Sequence, residues 1–496
     1  MIHLRHSRRR FLTGLGGALG ATAAGTSLLG ARARADGAEP EPVDPADRRL
    51  LFVVGALGGA SIIDSFLPVS TDEISDPDAA ASLNAYAPEQ LVQPTGSNIR
   101  CVRPLGETAF LTSDYSIQDF LEAHYADMTI VTQEGTSVNH GVAQKRAMTG
   151  AGIDRGRTIA EAVAERYGLG LPLANCNMAN GGYVEPGDDR GLAGYARSEI
   201  IASPMTYAMA THGSRGLVGA PPLGRIEQAR AVREQLEEVS PFGQTYREAP
   251  LRERVLQMRR EVAPQLEQLD AITKLMLMSP DDLSPEYGLE GSPLHDELRN
   301  AFPGLREDNW QQQGALAFAL AYYGMTAAST ISLSFSPAFV GDEIVGAPLA
   351  FDFSHSLHRP AQNVMWGRVL KVVDGLVNLL KRYDYLGDPS MGKMWDRSLI
   401  YIATDFGRDK VRPAGNPYFG TGHHLNNGTL LLSPLLQGNR VFGGVDPDTL
   451  LTYGFDGRTG EDRPDTLMRE GEIYSLIAQA MDIDFSGRRD MSAVLA

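Results

Sequence analysis

Leu50-Leu51-Phe52-Val53-Val54 is an unbroken apolar run that ends in glycine-rich sequence, which predicts a strand buried on both faces of a parallel sheet. Residues 128–132, 330–335 and 398–403 repeat that signal. Between these runs the apolar period becomes helical. A helix is predicted over 116–125, before the second run, another over 158–167, after it, and a third over 312–326, before the run at 330. A longer one spans 360–383, opening on a proline and placing Met365, Val369, Val372, Leu376 and Leu380 on one face. Strands alternating with helices predict a doubly wound α/β fold with a mostly parallel central sheet flanked by helices. Ligands of such folds bind beyond the carboxyl ends of the strands. One stretch departs from the alternation. Leu251, Val255, Met258, Val262, Leu266, Leu269 and Met276 recur at helical spacing among charged residues, with Pro264 interrupting, and predict a helical insertion or cap within 225–310.

The N-terminus follows a different logic. Ser7-Arg8-Arg9-Arg10-Phe11-Leu12 precedes a weakly apolar, Gly- and Ala-rich run, and Ala33-Arg34-Ala35 supplies small residues at a cleavage site. This layout predicts a twin-arginine export signal over 1–35, a flexible Pro- and acid-rich leader over 36–48, and one α/β domain over 49–496. A membrane anchor is the competing reading, disfavoured by the glycines. Gly14, Gly16 and Gly20 follow no strand, so they do not read as a dinucleotide loop. The expected location is periplasmic or secreted, with the twin-arginine translocase as a partner and no stable membrane anchor.

Charge and cysteine usage narrow the partners. Of 45 basic residues, six lie in the first 35 positions, where there is no acid, so the rest carries 39 basic against 61 acidic residues and a formal −22. Such a polyanion repels nucleic acid and anionic lipid. Two cysteines, Cys101 and Cys176, exclude Cys-type zinc fingers and iron–sulfur clusters and leave one optional disulfide.

Histidine is scarce outside the signal, at eight residues, yet five of these fall in three loops that follow predicted strands: His140, His355, His358, His423 and His424. Asp64, Asp352 and Asp405 join them a short distance beyond strands. Acids and imidazoles converging on one sheet edge are the ligand set of zinc or manganese, as one ion or two. There is no G-x-S-x-G elbow, H-E-x-x-H helix or P-loop, which argues against a serine hydrolase of the α/β type, a zincin and a P-loop enzyme.

Four segments carry a resemblance to a known family: Gly58-Gly59-Ala60-Ser61-Ile62-Ile63-Asp64-Ser65-Phe66, Asn139-His140-Gly141 running on to Met148-Thr149-Gly150, Asp352 with His355, and Thr404-Asp405-Phe406-Gly407-Arg408 with Gly422-His423-His424 downstream. Together they resemble the bacterial family called domain of unknown function 1501, within the alkaline phosphatase and sulfatase superfamily. The resemblance implies an alkaline-phosphatase-like fold and metal ligation by Asp64, by Asp352 and His355 (His358 competing), by Asp405, and by His423 or His424. It places His140 where the superfamily carries its nucleophile, with Ser137 and Thr136 as the nearest hydroxyls, and Phe406 where a histidine is usual. The expected function is a periplasmic metal-dependent hydrolase of phosphate or sulfate esters, acting on a small-molecule or polymer ester. The other reading is a non-catalytic binding or assembly protein on the same fold, which Phe406 and the displaced hydroxyl favour.

Overall fold

The computed structural model describes residues 41–104, 113–150, 154–178, 186–210, 219, 221–283, 289–333, 339–340, 343–344, 350–414, 416 and 418–496. The expected export signal lies outside them. Eight strands form the central sheet: β1 (Leu50–Gly55), β2 (Met128–Glu134), β3 (Asn175–Met178), β4 (Glu199–Ile200), β5 (Ala328–Ser332), β6 (Ser398–Ala403), β7 (Asn426–Leu432) and β8 (Arg440–Phe442). Their order is β8-β2-β7-β6-β1-β5-β3-β4. β7 runs antiparallel to both neighbours, and every other pair in the sheet is parallel.

Six helices cover the faces: α1 (Ile117–His124), α2 (His140–Thr149), α3 (Ile159–Tyr167), α4 (Asn309–Tyr322), α5 (His358–Arg382) and α6 (Glu470–Ala480). The β1 run shows why the sheet has two covered faces. Leu50, Phe52 and Val54 enter one core with α1, α4 and α5, while Leu51 and Val53 enter the other with α3, α6 and the end of α2. Each such side chain contributes about 1.5–3 kcal/mol by leaving water, so an all-apolar pentapeptide is held at the sheet centre.

Most sequence expectations land within a few residues. Ser116 and Thr158 cap α1 and α3 through their hydroxyls. α4 starts and ends three to four residues earlier than its apolar pattern suggests. α5 opens at His358, so Pro360 is its third residue and not its first; the His358 amide donates to the Phe419 carbonyl and anchors the start. The expected leader is partly tied down. Pro45–Asp47 form a 3₁₀ turn capped by Asp44, and Arg397 donates to the carbonyls of Pro45 and Ala46 at 2.9 Å each. In the 225–310 stretch, helices occupy Leu223–Val239, Pro250–Gln257, Ala263–Gln268 and His295–Ala301, among others. Pro264 does not break the run; a π turn over Met258–Val262 leads into it. Cys101 and Cys176 are both free and buried in the core. Among the described residues, no helix is long and apolar enough to cross a membrane.

Candidate metal centre

Strand direction explains why distant segments meet. β1, β5 and β6 are mutually parallel neighbours, and β2 shares their direction because β7 lies antiparallel between β2 and β6. All four therefore end on one edge of the sheet, where β7 begins. The loop after β1 carries Gly58, Gly59 and Asp64, and the loop after β2 leads into His140. The chain beyond β5 returns through a 3₁₀ turn, Ala350–His355, that carries Asp352 and His355. β6 is followed by Asp405, and a short ladder pairs Gly407–Arg408 with His423–His424 just before β7.

Among the described residues, His140, Asp352 and His423 form the one set of three whose ligand atoms all lie within 4.8 Å of one another. Each is half-buried. His140 begins α2 because Asn139 caps that helix, its side chain accepting from the Val142 amide at 3.3 Å. Gly150 closes α2 in the left-handed conformation, φ 59°, against the Tyr474 ring. The His140 Nδ1 lies 2.7 Å from Asp405 Oδ2 and its Nε2 lies 3.2 Å from Asp352 Oδ1. His423 Nδ1 donates to the Val138 carbonyl at 2.8 Å, and a carbonyl can only accept, so its Nε2 is a bare lone pair. Asp352 Oδ1 is buried and lies 3.2 Å from His140 Nε2 and 3.7 Å from Arg408 Nη2. A carboxylate oxygen facing two imidazole nitrogens whose other nitrogens are already held is what a divalent cation requires of its ligands. His355 adjoins this set, with its Nε2 2.9 Å from His423 Nε2 and 3.8 Å from Asp352 Oδ1, and is largely exposed.

The protonation states follow from the same contacts. Burial alone would push the His140 imidazole down, but hydrogen bonds to Asp352 and Asp405 and their charges hold it up, at about 9. Burial would raise the Asp352 carboxyl, yet His140 and Arg408 keep it below the usual carboxylate range. Burial lowers His423, helped by the nearby Arg408 charge. Without an ion, His140 is thus an imidazolium between two carboxylates, and a cation at its Nε2 takes the place of a proton.

Asp405 stands behind the set. Its side chain is fully buried and accepts from the Gly58 amide (3.2 Å), the Gly59 amide (2.7 Å), Gln144 (3.3 Å) and His140. With four donors its lone pairs are spent, so it orients His140 and has none left for an ion. Gln144 was not among the sequence candidates; its position four residues after His140 on one helix was the available signal. Arg408 was missed as well. It is wholly buried and ties the centre together, donating to the Gly58, Gly59 and Phe351 carbonyls, with Nη1 3.4 Å from His355 Nε2. Gly59 has φ 84°, and a Cβ there would sit 2.5 Å from Arg408 Nε, so both its conformation and its neighbour require glycine. Phe406 stacks on the His423 ring with centroids 4.0 Å apart.

Three expected ligands lie elsewhere. Asp64 pairs with His358 at 3.2 Å, both almost completely buried, and also accepts from Ser61 (2.5 Å), Asn84 (2.7 Å) and Tyr86 (3.2 Å). Burial would raise this carboxyl, but the His358 charge and hydrogen bond, with Lys410 and Ser61, bring it down to about 2. The other His358 nitrogen meets Thr421 Oγ1 at 3.1 Å, which leaves the pair sealed. His424 follows His423 in the ladder and points to the opposite face, where its Nδ1 accepts from the Asn426 amide at 3.1 Å. The hydroxyls upstream of His140 are also engaged. Thr136 donates to Glu470 (2.9 Å) and accepts from Arg146 (2.8 Å), and Ser137 accepts from the Asn139 amide at 3.1 Å. Among the described residues, neither touches the metal-capable set.

No protein-family model and no curated protein matches the chain.

Proposed function

We propose that this chain is an exported, metal-dependent hydrolase of phosphate or sulfate esters, built on an alkaline-phosphatase-like variant of the α/β fold and related to the domain of unknown function 1501. The observation that supports the reading is the convergence of a buried Asp352 oxygen with ring nitrogens of His140 and His423 within 4.8 Å of one another. These three residues would hold a zinc or manganese ion. Such an ion would supply Lewis acidity toward an ester oxygen and a water activated near neutral pH. The chain's own residues divide the remaining work. Asp405 and the Val138 carbonyl fix the two imidazoles by their Nδ1 hydrogens. His355, exposed beside them, is positioned to hold or pass a proton at Nε2. Phe406 excludes water from one side of His423.

The test is the metal content and esterase spectrum of natively exported protein. About one equivalent of zinc or manganese, with hydrolysis of aryl phosphates or sulfates that Asp352→Asn abolishes, is the expected result. Stoichiometric iron would redirect the reading, because two histidines and one carboxylate also suit oxygen chemistry. A second reading, a binding protein that keeps the ion, is favoured by Thr136 and Ser137 being bonded away from the set; bound metal without turnover would select it.

A further inference from the structure

We infer that the outward face of the helix Leu223–Val239 is a homodimer interface, docking antiparallel against the same helix of a second copy of this chain. The inference is independent of the metal centre. The first observation is which way the helix is turned. Its charged face lies inward: Arg230 pairs with Glu267, Glu237 with Arg259, and Glu234 with Arg260 at 3.3 Å. Its apolar face points to solvent, with Val232 48% exposed, Leu236 61% and Val239 67%, and none of its 17 residues is buried. Surface ion pairs stabilise less than the burial of a single leucine. This orientation therefore becomes favourable only once the apolar face is covered.

The spacing identifies the cover as a helix. Ala229, Val232, Leu236 and Val239 recur at steps of three, four and three, which is the narrow seam of a helix pair. Gln228 and Gln235 border it on one side, and Arg233, one turn before Glu237, on the other. A membrane surface asks for a broad apolar face backed by Lys and Arg. Here the opposite face carries Glu227, Glu234, Glu237 and Glu238 against Arg230.

Charge identifies that helix as a second copy. Residues 223–268 hold eight basic and eight acidic residues, in a chain that is otherwise strongly acidic, so two copies can approach here without repulsion. Arg225 stands in line with the seam, one turn before Ala229. An antiparallel pair centred between Val232 and Leu236 carries each Arg225 to the C-terminal end of the other helix. There the dipole is negative, and Phe242 (67% exposed) and Tyr246 (49%) offer aromatic rings to a cation. A parallel pair would stack Arg225 on Arg225. Helices about 25 Å long, with the aromatic ends, bury roughly 1,000 Å² in all, the lower bound of a specific interface, so association is expected at micromolar concentration.

Sedimentation velocity of the full chain between about 1 and 100 μM tests the inference. The expected result is a reversible monomer–dimer equilibrium that Leu236→Glu weakens at least about 100-fold by placing a charge in the seam. Because Leu236 is exposed, the variant should keep the wild-type melting temperature in dilute solution. Cysteine pairing reads the direction. Cys101 and Cys176 are buried, so oxidation of Ala229→Cys mixed with Val239→Cys should cross-link the two variants to each other, and neither to itself. A chain that stays monomeric at about 100 μM, a dimer that Leu236→Glu leaves intact, or a monomer that binds phosphatidylglycerol vesicles through Leu236 overturns the inference. Cross-linking of either cysteine variant to itself overturns the antiparallel arrangement.

Discussion

His140 Nδ1 lies 2.7 Å from Asp405 Oδ2, and this contact turns the opposite nitrogen of the imidazole toward Asp352. A carboxylate that every neighbour already saturates therefore acts on the centre only through the ring it holds. Asp405→Asn should weaken zinc or manganese binding about 10- to 100-fold while Asp352→Asn abolishes it. Calorimetric titration of the two variants side by side separates the roles; equal losses would make Asp405 a ligand after all.

The Asp64–His358 pair predicts an acid-stability signature. The Asp64 carboxyl is held at about 2, below its ordinary 3.8, so the folded state binds fewer protons than the unfolded chain in between. The stabilisation is complete above about pH 4 and is lost as pH falls toward 2, on the order of 2 kcal/mol. Denaturant unfolding of wild type and Asp64→Asn should show a gap that narrows between pH 5 and pH 2.5.

Gly59→Ala tests the junction between the first loop and Arg408. The φ of 84° and the close guanidinium together should cost about 1–3 kcal/mol, read as a lower urea midpoint with an unchanged m-value. Because the Gly59 amide also donates to Asp405, metal affinity should fall in the same variant.

Export gives a test independent of the fold. Replacing Arg8 and Arg9 by lysine removes the paired guanidinium groups and should leave the precursor in the cytoplasm, as fractionation and immunoblotting would show. Normal secretion of the double variant would mean that 1–35 is another kind of segment.

The central strands β1, β2 and β6 were legible because unbroken apolar runs have one stable use, burial on both faces. β3 and β7 were not, since both begin with polar residues. Asn427 is buried in β7 and spends its amide on the Ile62 amide and the Ala60 carbonyl, a hydrogen-bond solution that hydrophobic patterning does not register. The candidate site was legible as a group of acids and histidines at strand ends. Its internal partition was not. His423 and His424 are equivalent in composition, and only the register Arg408↔His423 and Gly407↔His424 decides which of them turns to His140. Likewise Asp64 resembles Asp352 in the chain, but Asn84, Tyr86 and His358 close over Asp64, whereas Asp352 faces His140 and His423.

The antiparallel placement of β7 has a consequence for how the molecule assembles. β7 is threaded between β2 and β6, strands separated by more than half the chain, and His423 immediately precedes it. Until residues 423–432 have been synthesised and inserted, the sheet has a gap at its middle and the candidate metal centre lacks one of its three residues. Folding of the sheet and creation of the site are therefore a single late event, governed by slow long-range pairing. Ribosome-bound or truncated chains ending before His423 should have neither, and metal uptake can serve as a clock for completion of the fold.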